Sequence, residues 1–552
     1  MSRSVSLSKK EVLVFILIIL SLSGIFYKPI FSSDIWLHLK MGEYIVQNDY
    51  TLPISDPFSY TTKGKPVILC EWLSQIVLYL VYNEFGFTGL RVMRVLLMMA
   101  ALSFVFWTAF QISNRFLVAL LVLLVTAYLF RTRYLIRPEL FSILFFTFVY
   151  TWFTRTRKRF KHVDYAIFFL LCVLWINLHP FMLFAGVIVA ILSFARMVTK
   201  VRGITSWFRI TELPFNPNVL FLLFLIGSII NPYGYHIYGY VFGATPVVKQ
   251  YIQEWQPIFI CLQRRLFRFI TGGVLAFPCI MKGLVSGIIA CFLTVLIGSY
   301  TRRIRWSIGD ILIGLLTIYL AITAARFAWL LFVPVLLIVK YGTIYVENRG
   351  LPERPRVTTF ISFIMVGAGV IIACLYWMNE CYTRIPYNLK HEIQIENYPD
   401  VPVRILKATN LSGRLYNPSG WGGYLIYHLY PRYKVFVDTR TYLHGETILV
   451  NSMLIQYQYP GFERLLETYG FDILLFKKMF GDRRPFYSAD WILIFENVNS
   501  AMYVKKNKRN KTNLKKIVKY YKENNVPFDP KKGFDLEELR KDDHLSELYR
   551  LR

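Results

Sequence analysis

The sequence contains a series of apolar runs that approach or reach the length of a membrane-spanning helix, which takes about 20 apolar residues. The runs lie near residues 12–30, 89–110, 116–130, 139–154, 164–178, 181–196, 217–231, 281–300, 308–325, 327–345 and 357–378. Hydrophobic residues make up 55% of the 552 residues and charged residues only 18%, which excludes both a soluble globular protein and a disordered chain. We therefore predict an all-α polytopic membrane domain of about eleven transmembrane helices, followed by a small external α/β domain.

Basic residues set the predicted orientation of this domain. Lys and Arg number 63 and Asp and Glu 34, and in membrane proteins Lys and Arg collect in cytoplasmic loops and near anionic lipid. The first run is too long for a signal peptide, so we expect a retained first helix with its N-terminus inside. Alternation then puts the basic stretches 155–161, 196–209 and 302–305 in the cytoplasm and the C-terminal region outside. Three arginines interrupt the stretch 258–280, where the number of spans stays open.

The domain organisation follows from these runs. Residues 1–380 form the predicted membrane domain, with 31–88 as an external loop after the first span. Residues 381–504 form the external α/β domain, and 505–552 a basic, then mixed-charge, helical tail that we expect to lie solvated on the domain or membrane surface. Short apolar runs bounded by turn residues, which are typical of strands, lie at 433–438, 471–476 and 491–495. A helix is predicted over 460–469, with proline at its start.

Motifs for several other chemistries are absent from the sequence. It contains no GxGxxG or Walker pattern, so a nucleotide-sugar or ATP mechanism has no support. It also contains no HExxH, no GxSxG and no paired Cys/His cluster. The seven cysteines lie mostly in apolar runs without CxxC spacing, and we interpret them as packing residues rather than disulfides or metal ligands. The sequence therefore predicts no metal site.

The loop after the first span carries the strongest candidate for catalysis. Asp34 and His38 are four residues apart, so a helix places them on one face, and Glu71 follows later in the loop. A carboxylate at a membrane boundary is costly unless it is solvated or has a function. This cost supports the interpretation of Asp34 as a general base, with His38 and Glu71 beside it. The alternative is that Asp34 caps an ordinary interfacial helix, since Ser-Ser-Asp is also good capping sequence. On this loop alone the two interpretations are equally good.

The motifs along the chain resemble those of a known superfamily. An external helix that begins with Asp, a Gly/Pro turn and a Trp-Leu segment before the second span are similar to the GT-C polytopic glycosyltransferases, which include protein O-mannosyltransferases and lipid A aminoarabinose transferases. A narrower likeness, to a group of bacterial membrane proteins of that superfamily, covers nearly the whole chain. Its motifs stand at 34–44, 56–61, 71–73, 137–142, 177–179, 231–234, 254–257 and 421–440. Where the aminoarabinose-type enzymes have Asp-Glu, this chain has Asp34-Ile35, so a second acidic group is missing or comes from elsewhere.

The resemblance implies transfer of a sugar from a polyprenyl-phosphate donor to an external acceptor, with inversion. Such an enzyme deprotonates the acceptor, stabilises the departing phosphate and holds the prenyl tail. Arginine pairs with phosphate oxygens through its planar fork. Arg137 and Arg326 stand at predicted outer ends of spans, against the positive-inside trend, and we predict that both contact the donor phosphate. For Arg131 and Arg133 we favour snorkelling to lipid head groups over a role in the site.

Further candidates lie at three other places in the chain. His179, at a predicted external corner, is either a ligand of the donor phosphate or an ordinary boundary histidine. Glu254 and Trp255 offer a carboxylate and an indole to a sugar ring, and Glu254 is a candidate for the second acidic group; a structural cap is the favoured alternative. Asp438 and Arg440 follow a predicted strand, where loop residues often bind ligands such as the acceptor. An internal Asp–Arg pair that fixes the loop is the favoured alternative there.

Two other classes of function stay open. A transporter or flippase of lipid-linked glycan should show inverted repeats and charges at mid-membrane depth, and the absence of a repeat favours an enzyme. A non-catalytic protein that binds envelope glycans or proteins would tolerate the loss of Asp34. The expected partners are a polyprenyl-phosphate sugar donor, a glycan, lipid or protein acceptor and membrane lipids, with no nucleic acid. The resemblance leaves a divalent cation open and implies the bacterial inner membrane, with a periplasmic C-terminal domain.

Overall fold

The structure, a computed structural model, describes residues 7–133, 135–155, 159–198, 213–243, 253–260, 276–301, 304–347, 387–478, 486 and 488–551. The chain divides into two compact units, each formed by two stretches of sequence. The first unit comprises Met1–Pro29 and Phe87–Glu392, and the second Ile30–Gly86 and Ile393–Arg552. The sequence-based division assigned 31–88 to the membrane domain, whereas the structure groups this loop with the C-terminal region.

Backbone hydrogen bonds explain this grouping. The carbonyl of Ile30 accepts from the N–H of Gln394 at 2.9 Å, and the carbonyl of Phe58 accepts from the N–H of Val435 at 3.1 Å. A buried backbone group without a partner is costly, so these bonds tie the loop to segments far along the chain. The break between the units falls inside the helical stretch Trp72–Ser113, at Gly86, whose φ of 61° and ψ of −157° interrupt the helix.

Helices make up the first unit. Within the described residues, four stretches are long and apolar enough to cross a membrane: Trp72–Ser113, Phe116–Arg133, Met281–Gly298 and Ala325–Tyr345. Only the part of Trp72–Ser113 after Gly86 belongs to this unit. Other helices of this unit are Lys9–Phe26, Glu139–Arg155, His162–Leu178, Met182–Val198, Pro217–Ile229, His236–Phe242 and Ile308–Thr323. Every predicted span within the described residues overlaps a helix, because apolar length is a local property of the sequence. The predicted span 357–378 lies outside the described residues.

Short irregular segments join these helices and are held by apolar packing. A 3-10 turn, Arg131–Arg133, precedes the helix Glu139–Arg155, and a second 3-10 stretch, Ala325–Leu331, follows the helix Ile308–Thr323. Trp329 of the second stretch is fully buried, and its ring centroid lies 5.6 Å from that of Phe146 in an edge-to-face contact. The second irregular segment is therefore fixed in the apolar interior of the unit.

The second unit is built on a four-stranded sheet. Its strands are β1 (Leu415–Tyr416), β2 (Ile473–Lys477), β3 (Trp491–Glu496) and β4 (Ser500–Lys505), in the order β1-β2-β4-β3. β1 is parallel to β2, and β4 is antiparallel to both of its neighbours. The helices of this unit are Asp34–Gln47, Asp400–Thr409, Ser419–Leu429, Thr441–Gln456, Phe462–Tyr469, Lys511–Glu523, Leu536–Leu539 and Asp543–Tyr549. The predicted small α/β domain is confirmed, although the first loop contributes to it.

One predicted strand is an irregular segment instead. Residues 433–438 form no strand and make a single bridge, in which Val435 pairs with Ser59. The Ser59 hydroxyl also donates to the Val435 carbonyl at 3.0 Å. The segment therefore pairs with the first loop rather than with the sheet, a choice that its own apolar pattern does not specify.

The basic tail packs on the sheet more closely than predicted. The helix Lys511–Glu523 buries Ile517 and Tyr521, and the Tyr521 hydroxyl donates to the carbonyl of Ile494 in β3. Only the opposite face of the helix carries the solvated lysines. The tail is thus part of the core of the second unit, because its apolar residues recur at helical spacing between the basic ones.

The glycine-rich sequence at 420–424 indicates a tight turn or a close backbone approach, and the structure shows the second. These residues lie in the helix Ser419–Leu429. A Cβ on Gly423 would lie 2.8 Å from the carbonyl oxygen of Ser33, so only glycine lets the two segments approach this closely. The helix thereby supports the start of the helix that begins at Asp34.

Candidate functional site

Three arginines and two glutamates of the first unit form one ion-pair cluster. Arg133 Nη1 lies 3.0 Å from Glu254 Oε2, and Arg133 Nη2 contacts Glu139. Arg137 Nη1 donates to both oxygens of Glu254, at 3.0 and 2.8 Å. Arg326 completes the cluster, with its Nη2 3.8 Å from Glu139 Oε2. The irregular segments at the helix ends thus bring together charges from distant parts of the sequence.

The cluster carries one more positive than negative charge and is partly open. The side chains of Arg137, Arg326 and Glu254 are 20%, 18% and 26% exposed, whereas that of Arg133 is 4% exposed. Burial alone would raise the pKa of Glu254, but the three guanidinium groups hold that pKa well below its usual range. The Arg326 guanidinium lies 4.4 Å from the ring centroid of Trp255, a cation–π distance. The open side therefore presents guanidinium groups and an indole to a ligand.

A histidine lies beside the helix that Glu139 begins. His179 Nδ1 is 2.8 Å from the hydroxyl oxygen of Ser142, which is one turn beyond Glu139 on the helix Glu139–Arg155. The N–H of Phe181 also donates to His179 Nδ1, at 3.3 Å. Because Nδ1 accepts, the proton of the neutral imidazole belongs on Nε2. These contacts fit the alternative of an ordinary boundary histidine. The role of His179 as a phosphate ligand stays a prediction.

The geometry corrects one prediction for the first unit and adds one residue. Arg133 was interpreted as snorkelling to lipid head groups, which is wrong: its side chain is buried and paired with two carboxylates. Glu139 was not a candidate. Its position could have indicated a role, because Glu139 follows Arg137 and Pro138 directly and begins an apolar run. The structure also pairs two predicted site residues: Glu254, predicted to bind the sugar, lies 2.8 Å from Arg137, predicted to bind the phosphate.

The second unit holds the proposed base and its two neighbours. Asp34 is the first residue of the helix Asp34–Gln47 and is half-buried, with Ser33 at the N-cap. A carboxylate in the first turn is stabilised by the helix dipole. His38, one turn later, is buried, and its Nδ1 lies 4.0 Å from Glu71 Oε2 and 3.3 Å from Gln75 Nε2. The predicted neighbours His38 and Glu71 therefore lie together in the second unit.

Asp438 and Arg440 belong to a different, closed network of the second unit. Arg440 donates to Asp438 through Nε at 3.0 Å and Nη2 at 2.6 Å, and to Asp56 through Nη1 at 2.7 Å. His444 Nε2 lies 3.2 Å from Asp438 Oδ2. Although burial alone would raise the pKa of Asp438, Arg440 and His444 lower it.

This network corrects the acceptor-binding prediction for Asp438 and Arg440. The side chains of Asp56 and Asp438 are 0% exposed, and both oxygens of Asp438 are paired. Neither oxygen is thus available to an acceptor, and the alternative of an internal pair that fixes the loop accounts for the contacts. Asp56 was missed as a partner, although it opens the motif at 56–61.

Comparison of the sequence with protein-family models and with curated proteins finds no match. Comparison with solved structures does find similar folds. The archaeal oligosaccharyltransferase AglB from Archaeoglobus fulgidus, in complex with an inhibitory peptide and a dolichol-phosphate, is 10% identical, with a TM-score of 0.50 over 85% of this chain and 69% of that one. An Archaeoglobus fulgidus oligosaccharyltransferase tethered to an acceptor peptide with the NVT sequon has a TM-score of 0.51, at the same identity and coverage.

The chain has a GT-C fold. ArnT from Cupriavidus metallidurans, bound to undecaprenyl phosphate, is also similar, with 11% identity and a TM-score of 0.47 over 91% of this chain and 99% of that one. The two oligosaccharyltransferase structures confirm the resemblance of the motifs at the level of the fold. Identities of 10–11% carry no residue roles from one chain to another.

Within the part of the chain that the structure describes, no group of three or more His, Cys, Asp or Glu side chains lies together as a metal site. The two glutamates of the cluster in the first unit are both paired with arginines. What the cluster offers chemically is a half-open face of guanidinium groups that suits an anionic ligand.

Proposed function

We propose that the chain is an integral-membrane glycosyltransferase of the bacterial inner membrane, with its second unit on the periplasmic side. It moves a sugar from a polyprenyl-phosphate donor to an external acceptor, with inversion at the anomeric carbon. The arginine cluster carries this proposal, because guanidinium groups at the ends of apolar helices suit an anionic head group with an apolar tail. The GT-C fold supports the same class of reaction, since the AglB structure holds a dolichol-phosphate.

Arg137 and Arg326 bind the donor phosphate in this proposal. The phosphodiester of the donor carries one negative charge, which matches the excess of one positive charge in the cluster. As the sugar leaves, the charge of the prenyl phosphate rises toward two, and fixed guanidinium groups stabilise the charge that develops. The carboxylate of Glu254 accepts two hydrogen bonds from Arg137, so its oxygens occupy positions that phosphate oxygens would take. Trp255 offers its ring to the sugar beside Arg326.

Asp34 acts as the general base. The acceptor oxygen attacks the anomeric carbon from the face opposite the phosphate. The bond between that carbon and the phosphate oxygen breaks, its electron pair goes to the phosphate, and the acceptor proton goes to the Asp34 carboxylate. The contact between His38 and Glu71 holds the polar side of the helix on which Asp34 lies.

Substitution of Asp34 by Asn tests the proposal. Asn keeps the size of the side chain but accepts no proton, so transfer should fall by a factor on the order of 100 or more, the usual scale for loss of a general base. Turnover is measured with purified full-length protein in detergent and polyprenyl-phosphate sugar donors. The matched control is Asp49→Asn, an exposed position near the end of the same helix, where φ is 51° and Asn is equally well tolerated. Near-normal transfer by Asp34→Asn would remove Asp34 from the mechanism.

A further inference from the structure

A cavity of about 410 Å³ lies on the second unit, between the loop 410–414 and the segment 432–434. Its volume falls in the range of small-molecule sites, about 300–1,000 Å³. Its lining includes three exposed cationic side chains, Arg414, Arg432 and Lys434, and no acidic residue. The cavity therefore concentrates positive charge where solvent and ligands have access.

The loop that carries Arg414 is fixed in place. Asn513 Oδ1 accepts from the N–H of Ser412 at 2.9 Å, and Asn513 Nδ2 donates to the carbonyl of Ser412 at 2.7 Å. Gly413 has a φ of +120°, and a Cβ there would lie 2.4 Å from the Cβ of Asp472, so only glycine fits. A loop held in this way pays little conformational entropy when a ligand binds.

Asp472 contacts the loop that carries Arg414 but is not part of the cavity lining. Asp472 is 3% exposed, and its Oδ2 accepts from the backbone N–H of Arg414 at 3.0 Å. An aromatic ring completes the lining: the Tyr60 hydroxyl donates to the carbonyl of Leu415 at 3.0 Å, and the Arg414 guanidinium lies 5.9 Å from the Tyr60 ring centroid. A ring face beside three cations suits a sugar that carries an anionic group.

We propose that this cavity binds a phosphate group carried on a sugar or on a lipid head group. Arg414 Nη1 donates to the Tyr469 carbonyl at 2.9 Å, and Arg432 donates through Nε to Asn410 and through Nη1 to the Lys407 carbonyl at 3.1 Å. These bonds hold the two guanidinium groups in place, and their other N–H groups can donate to phosphate oxygens, while Lys434 adds a point charge. The inference rests on the proposed function in one respect only: a phosphorylated sugar would then belong to the acceptor glycan. Binding itself requires no transfer.

Protection of Lys434 from chemical modification tests the proposal. The full-length protein is placed in phosphatidylcholine nanodiscs without donor, and Lys434 is acylated by a limiting amount of an amine-reactive ester. Mass spectrometry then measures how much glucose 6-phosphate or glucose reduces the modification. We expect protection by glucose 6-phosphate and none by glucose. The double variant Arg414→Gln, Arg432→Gln should bind glucose 6-phosphate about tenfold or more weakly, because it loses charge-assisted contacts.

Matched controls keep the test independent of folding. The double variant Arg464→Gln, Lys515→Gln removes the same charge at exposed positions outside the lining and should keep wild-type protection. Lys434→Gln alone, measured by equilibrium dialysis with radiolabelled glucose 6-phosphate, should also weaken binding. Nanodiscs that contain phosphatidylglycerol form a second arm of the experiment.

The arms distinguish the two sources of phosphate. If glucose 6-phosphate reduces the modification of Lys434 in phosphatidylcholine nanodiscs, the ligand is a phosphorylated sugar. If the modification is reduced only in nanodiscs that contain phosphatidylglycerol, the ligand is a lipid head group. No protection in either arm, or equal protection by glucose, would overturn the proposal. Asp34→Asn should keep the protection, so failure of the proposed transferase reaction and failure of this site give different results.

Discussion

Each unit of the molecule buries carboxylates against arginine, but the two clusters differ in charge and exposure. In the first unit three arginines meet two glutamates, and the side chains of Arg137 and Glu254 remain 20% and 26% exposed. In the second unit one arginine and one histidine meet two aspartates, and the side chains of Asp56 and Asp438 are 0% exposed. The first cluster has an open side and positive charge in excess, whereas the second is closed.

Under the proposed function, this difference in exposure separates a cluster that binds a ligand from one that fixes a loop. A closed pair cannot change its partners without exposing an uncompensated charge, which is strongly unfavourable. A partly exposed pair is solvated on one side and can exchange a carboxylate for another anion at modest cost. Residue type is similar in the two clusters, so burial is the property that distinguishes their roles.

Loss of Arg440 should give the largest effect on stability. Arg440→Met leaves Asp56 and Asp438 buried without their cation, and removal of one partner of a buried pair costs about 3–5 kcal/mol. Hydrogen exchange of the amides over 435–444, measured by mass spectrometry on the full-length protein, should show an opening free energy lower by this amount. Arg464→Met, at an exposed position, should change it by less than about 0.5 kcal/mol. Equal exchange in the two variants would contradict the role of the network.

Replacement of the open-cluster arginines should reduce activity rather than stability. Arg137→Lys and Arg326→Lys keep the charge but lose the planar fork, so kcat/KM for the polyprenyl-phosphate donor should fall about tenfold or more. Arg115→Lys, at an exposed position of the same unit, is the matched control and should behave like the wild type. If all three variants keep wild-type kcat/KM, the arginines do not bind the donor phosphate.

Neutralisation of Glu254 should have a smaller effect of the opposite sign. Glu254→Gln removes the carboxylate that competes for Arg137, and loss of a partly exposed competing charge worth about 1 kcal/mol should tighten phosphate binding roughly fivefold. Native mass spectrometry with undecaprenyl phosphate measures the affinity, and Glu347→Gln, which is exposed, is the control. Weaker binding by Glu254→Gln would show that the carboxylate helps to hold the ligand instead.

Acid should weaken the closed network only slightly within the usual pH range. The folded-state pKa of Asp438 lies below its unfolded value, so its pairing stabilises the fold above the unfolded Asp pKa of about 3.9, and this stabilisation is lost as the pH falls below that value. Thermal unfolding, followed by near-ultraviolet circular dichroism, should show that the stabilisation by Asp438 is constant between pH 7 and 5 and decreases below pH about 4. Asp438→Asn should remove the loss of stability below pH about 4. If this variant keeps the acid profile of the wild type, Asp438 is not the group responsible.

The sequence alone determined the apolar helices of the first unit and the α/β class of the second unit. Apolar length and helical or strand spacing are local properties, so the spans, β2 and β3 and the placement of Asp34 and His38 on one helix follow from neighbouring residues. Length and composition likewise excluded a soluble or disordered chain. The GT-C resemblance followed from motifs that are also local.

Only the tertiary structure decided which charges meet. Arg440 pairs with Asp56 across 384 positions of sequence, and Arg133 pairs with Glu254 across 121. No local pattern records such a partner, because it depends on which segments the packing of helices and backbone hydrogen bonds brings together. The same packing sets the burial of each pair, so that the side chain of Arg440 is 8% exposed and that of Arg137 is 20% exposed. Residue types therefore indicated where charge chemistry was present, and the fold assigned each charge its partner and its access to solvent.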